Sequence, residues 1–98
     1  MTNLTQNLGL CKKAGALILG FDAVIEAAVK GKTAGIMTTR DLSEKTLKEV
    51  NFHAERLKIT VISLPVGMIE IKAITGKKAG VLGITNKDLF TLFEQVSK

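Results

Sequence analysis

The sequence has no tryptophan and no tyrosine, and only one cysteine, one histidine and one proline among its 98 residues. Cys11 alone excludes an internal disulfide, and Cys11 with His53 falls short of the three or four ligands that a structural zinc site needs. The same two residues make a poor nucleophile and base, because neither follows a strained turn nor opens a helix. His53 beside Phe52 reads as a packed or half-exposed histidine at the edge of an apolar stripe. Long apolar runs are missing too: ITVISLPVGMI, residues 59–69, is broken by Pro65 and Gly67 and is far shorter than the roughly 20 residues that span a bilayer. The start, MTNLTQNLGL, lacks a basic leader and an apolar core. The expectation is a soluble, cytoplasmic chain without metal or cofactor.

Glycine-rich phosphate chemistry is absent as well. Gly31-Lys32-Thr33 looks like the end of a phosphate loop, but Glu26 occupies the place of the required first glycine and no strand leads into it. Asp41, Glu44 and Glu49 fit capping and solvated roles before acid–base ones. No catalytic set remains, so a non-enzymatic protein is expected.

The chain does have a steady alternation of patterns. Leu4, Leu8 and Cys11 recur at helical spacing, ALIL reads as a short strand, and Ala23, Val24, Ala27 and Ala28 give a small apolar helix face ending at Gly31. AGIMTT is a second strand, followed by a helix that Asp41 and Glu44 would cap and that Leu47, Val50, Ala54 and Leu57 would bury. ITVISL is a third strand, MIEIKAIT a short helix stopped by Gly76, and AGVLGI a fourth strand. Thr85 with Asp88 suggests a cap for a last helix with Leu89, Leu92, Phe93 and Val96 on its seam. At 98 residues this is one domain over 1–98: a three-layer α/β/α sandwich around a four-stranded mixed sheet.

The charge is positive, with 14 basic against 9 acidic residues, which favours anionic partners. Basic pairs bracket helix ends: Lys12 and Lys13, Lys30 and Lys32, Lys77 and Lys78. Any one pair is explained by the negative end of a helix dipole; together they suggest an anion-binding surface. The only aromatics are four phenylalanines, three of them in expected helices, so a base-stacking platform is poorly furnished and a shaped RNA backbone is the better target.

The order of LGLCKKAG, GFDAV to KGK, DLSEKT, ITVISLP and GKKAGVLGIT resembles the ribosomal L-seven-Ae and L-thirty-e superfamily of kink-turn RNA-binding proteins, in its small bacterial branch. The likeness covers nearly the whole chain. It implies the sandwich already read from the residues, and an RNA surface made from the start of the second helix and the loop before the last strand. In that family the helix opens with Gly, a variable residue, Asn-Glu and, after two more, Lys. This chain keeps Gly20 but has Asp22, Ala23 and Glu26 at the other three places, and its loop carries Lys77, Lys78 and Ala79 where the family has an apolar and acidic triplet. The resemblance therefore implies RNA binding with altered or weakened base reading, mainly through phosphates, at Gly20, Phe21, Asp22, Lys30, Lys32, Lys77 and Lys78. The partner would be ribosomal RNA or a structured mRNA element, with the ribosome as a further partner, no membrane, and a monomer as the favoured state. The alternative is a protein-assembly module that keeps the fold and uses helix two or LPVGMIEI. The RNA reading requires the lysines after Gly76 and around Gly31 to form one patch beside a helix N-terminus.

Overall fold

In the computed structural model, which describes residues 2–96 and the side chains of residues 4–94, five helices alternate with four strands. They run α1 (Thr2–Lys13), β1 (Leu17–Leu19), α2 (Phe21–Val29), β2 (Gly35–Thr38), α3 (Glu44–Leu57), β3 (Val61–Ser63), α4 (Met68–Thr75), β4 (Val81–Ile84) and α5 (Lys87–Val96). The strand order is β1-β4-β2-β3. β4 runs antiparallel to both neighbours, pairing Leu19 with Leu82 and Met37 with Leu82, while β2 and β3 are parallel with Ile36 opposite Val61. The fold is therefore an α/β sandwich on a mixed four-stranded sheet.

The two-residue period of the strands sorts their side chains between the faces. Met37, Leu82 and Ile84 turn to α1, α4 and α5, where Leu4, Leu8, Cys11, Ile71, Phe90 and Phe93 complete the larger core. Ile36 and Val81 turn the other way, onto Val24 of α2 and Val50 and Ala54 of α3. That second layer is built of small residues, so α2 lies close to the sheet: a methyl group on Gly83 would come within 3.3 Å of Val24. All residues of β2 and β4 are buried, as central strands covered on both faces must be. Gly35 is required by close approach, because a β-carbon there would fall inside the ring of Phe90.

Several expected details shift. α3 is capped by Ser43, whose hydroxyl accepts from Thr46 N–H at 3.2 Å, and not by Asp41. α5 is capped by Asn86, whose side chain accepts from Leu89 N–H at 3.0 Å, and not by Thr85. Ala23 is exposed, whereas Val24 and Ala28 are buried, so the α2 face is narrower than its alanines suggest. Leu47 and Leu57 are half-buried, and Phe90 joins Phe93 in the α5 core. The side chain of Val96, expected on that seam, lies outside the described residues. No helix among the described residues is long and apolar enough to cross a membrane.

Candidate nucleic-acid interface

The strand directions bring three helix starts to one rim of the sheet. β1 and β2 end there, β4 begins there, and α2, α3 and α4 all depart from it. Backbone hydrogen bonds tie the rim together: Gly20 N–H donates to Val81 O at 2.9 Å, Thr39 N–H to Gly80 O at 3.0 Å and Arg40 N–H to Val66 O at 2.9 Å. A helix start leaves N–H groups without intrahelical acceptors and carries the positive end of the dipole. At this rim two of the three starts are already served by side chains. Ser43 caps α3. At α4 the Asp41 carboxylate accepts from Met68 N–H at 3.1 Å, and Glu70 turns back to accept from Gly67 N–H at 3.1 Å. Arg40 closes the group with an ion pair to Glu70 at 3.6 Å and a hydrogen bond to Pro65 O at 2.9 Å.

The third start, that of α2, has no side-chain cap. Its entry residue Gly20 sits at φ 102 and ψ 145, a region that only glycine occupies without strain. The first hydrogen bond of the helix runs from Val24 N–H to Gly20 O, which leaves the N–H groups of Phe21, Asp22 and Ala23 facing outward. Nothing lies within 4 Å of a β-carbon built on Gly20, so the approach to these donors is open. An anion fits such a place on geometric grounds.

The expected site residues divide between the two ends of the molecule. Phe21 is half-buried and packs into the α2–α3 layer, with its ring edge-on to His53 at 6.4 Å. Asp22 is exposed in the first turn and does not cap the helix. Lys77 and Lys78 are exposed in the loop between α4 and β4, with no ion pair among the described residues. Lys78 is three residues from Val81, which limits its backbone to about 11 Å from the strand start that Gly20 touches. Thr75 holds the beginning of that loop: its hydroxyl donates to Ile71 O at 2.7 Å and accepts from Lys77 N–H at 3.3 Å.

Lys30 and Lys32 do not belong to this rim. They follow the C-terminal end of α2, about 15 Å along the helix from Gly20. Lys32 N–H is anchored to Ala27 O, and Ala34 N–H beyond it to Ile84 O, at the opposite end of β4. α2 also packs on the other face of the sheet from α4. Lys30 pairs with Glu26 at 3.6 Å, both exposed. The single patch expected from the sequence, joining the lysines after Gly76 with those around Gly31, is therefore not formed, because a helix presents its two ends to opposite surfaces; Lys30 and Lys32 drop out of the site, and an RNA reading is left only the narrower rim of the α2 start with Lys77 and Lys78.

Asp41, read from sequence as the α3 cap, gained its role from residues 27 positions away. The neighbouring Thr39 hydroxyl and the Met68 N–H hold its carboxyl below the ordinary range. Thr39 Oγ1 is itself buried and completes no hydrogen bond among the described residues, so its influence is that of a nearby dipole and the Met68 contact is the firm one. Cys11 is fully buried in the larger core, and burial pushes its thiol above the usual value, which makes it unreactive. It lies across the sheet from His53, whose Nδ1 is 3.3 Å from Arg56. Among the described residues no group of three or more His, Cys, Asp or Glu is placed to hold a metal ion.

No protein-family model and no curated protein sequence matches this chain significantly. Solved structures do. A protein with unknown function from Bacillus halodurans C is similar with a TM-score of 0.85 and 20% identity, over 96% of each chain. A Giardia lamblia 15.5kD RNA binding protein is similar with a TM-score of 0.77 and 10% identity, over 98% of this chain and 82% of that one. At these identities the likeness establishes a shared fold.

Proposed function

We propose that this chain is a non-enzymatic, cytoplasmic RNA-binding protein associated with translation. It contacts a bent, kink-turn-like RNA chiefly through phosphates, at the start of α2 and at Lys77 and Lys78. The observation that carries the reading is the uncapped α2 start, reached through Gly20 and joined by backbone hydrogen bonding to the strand that follows the lysine-bearing loop. The fold shared with the Giardia RNA binding protein supports it. Asp22, Ala23 and Glu26 stand where the family resemblance places Asn, Glu and Lys, so base recognition is weak and backbone contact dominates. Each lost phosphate contact lowers the slope of log affinity against log salt by about 0.7–0.9.

Fluorescence anisotropy with a kink-turn RNA and a plain duplex tests this. Lys77→Glu with Lys78→Glu should weaken binding and flatten its salt dependence by about 1.4–1.8. An unchanged affinity and slope would remove the loop from the interface. Asp22→Asn, Ala23→Glu and Glu26→Lys together should raise affinity for the kink-turn over the duplex.

A protein-assembly role is the second reading, favoured by Ile69, which is 67% exposed in the first turn of α4. A stable oligomer in size-exclusion chromatography, blind to both RNAs, would replace the first reading with this one.

A further inference from the structure

The chain's positive charge is not spread evenly over the fold. Residues 1–21 and 71–86 contain five lysines, Lys12, Lys13, Lys72, Lys77 and Lys78, and no aspartate or glutamate. The remainder holds nine basic and nine acidic residues and is neutral. The whole net charge of +5 thus comes from α1, the end of α4 and the loop that follows it.

The fold brings these segments together. α1 and α4 pack side by side on the same face of the sheet. The Lys12 ammonium lies 3.8 Å from where a β-carbon on Gly76 would stand, so the last turn of α1 borders the turn that leads into Lys77 and Lys78. Between the helices runs an open groove, with Leu10 and Ile74 beside Lys12 and Lys13. Glu70 is held at the start of α4 by Gly67 N–H and Arg40, and Asp88 and Glu94 lie on α5, the other helix that packs on α1; no ion pair joins any carboxylate to Lys12, Lys13, Lys72, Lys77 or Lys78 among the described residues. Lys30, by contrast, is paired with Glu26, and α3 carries three acidic against three basic residues.

We infer that the RNA-binding surface continues from the α4–β4 loop onto the C-terminal end of α1, where Lys12 and Lys13 take phosphates of the duplex stem that flanks the bend. The inference rests on the RNA reading proposed above and gives it a direction: the stem crosses the α1–α4 face and does not follow α2 towards Lys30 and Lys32. Charge complementarity selects the occupant, since a phosphate backbone supplies negative charge along a line to match five lysines carried by segments that hold no carboxylate, more than the dipoles of two helix ends account for.

The test uses the full chain and two kink-turn RNAs, one with a minimal stem and one with that stem lengthened by a helical turn, each titrated by anisotropy across a salt series. For the natural sequence, the longer stem should steepen the salt slope by about 1.8, the value for two duplex phosphate contacts. Lys12→Glu with Lys13→Glu should abolish that excess. Circular dichroism checks folding, and the milder Lys12→Gln with Lys13→Gln should act in the same direction. Lys30→Glu with Lys32→Glu should leave the excess in place.

An excess slope that survives reversal of Lys12 and Lys13 overturns the inference, while loss of binding on reversing Lys77 and Lys78 would leave the proposed function standing. Failure of the natural protein to bind either RNA removes both. Binding of poly-glutamate in preference to both RNAs, lost on reversing Lys12 and Lys13, would assign the face to an acidic protein and also overturn the inference.

Discussion

A glycine-to-alanine change at three positions should give three different results from the same added methyl group. At Gly9, inside α1, nothing lies within 4 Å of the new carbon and the backbone is helical. Alanine there should stabilise the fold by about 0.5–1 kcal/mol, because glycine loses more chain entropy on entering a helix. At Gly20 the surrounding space is equally open, yet φ 102 and ψ 145 disfavour any side chain. The cost is about 1–3 kcal/mol and is purely conformational. At Gly35 the backbone tolerates alanine but the methyl group would enter the Phe90 ring, so overpacking costs about 1–3 kcal/mol or more. For a domain of this size, 1 kcal/mol moves Tm by about 4–8 °C. Thermal and urea unfolding of the three variants would resolve the signs. A neutral or stabilising Gly20→Ala would refute the strained entry to α2. A Gly35→Ala variant rescued by Phe90→Leu would locate its cost in the ring, whereas Gly20→Ala should be insensitive to that second change.

Two further outcomes follow from the helix ends. Lys58, which closes α3, has φ 59 and ψ 45, the left-handed conformation that costs a side-chain-bearing residue about 1–2 kcal/mol. Lys58→Gly should therefore raise stability by about 0.5–1 kcal/mol after glycine's own entropy is counted, read as a rise in Tm. Asp41 has a folded-state pKa below its unfolded value near 3.9. Its contribution is present above that value and is lost as pH falls through the folded one, so Asp41→Asn should flatten the acid limb of a urea-stability profile below about pH 4, and an unaltered limb would count against the α4 contact.

All nine elements were legible because each has its own period: Leu4, Leu8 and Cys11 repeat as a helix must, while the uncharged runs around Ile36 and Leu82 are too short for anything but covered strands. The caps were misread by one or two residues. Ser43 and Asn86 stand beside Asp41 and Thr85, and all four are competent capping types; the backbone angle at a single residue decides among them. Gly20 could be recognised as an entry residue, but the positions of the lysines could not be taken from their motif order. Lys30 is close to Gly20 in sequence and at the other end of its helix in space, whereas Lys12 and Gly76 are far apart in sequence and adjacent in the fold. The signal that points to the α1–α4 face is the missing carboxylates over two separated segments, a pattern that becomes meaningful only once α1 and α4 are seen to pack together.

The placement of β4 also bears on how the protein is made. Among the four described strands this one is the last in chain order, yet it lies between β1 and β2, and its first residue Val81 and the preceding Gly80 supply the carbonyl groups to which Gly20 and Thr39 are bonded. A nascent chain halted before Val81 has only the parallel β2–β3 pair, with β1 waiting for a neighbour. The bond that ties Gly20, the entry residue of α2, to the sheet therefore forms only once Val81 has been made, and a product truncated ahead of that strand would lack the rim on which the proposed RNA surface rests.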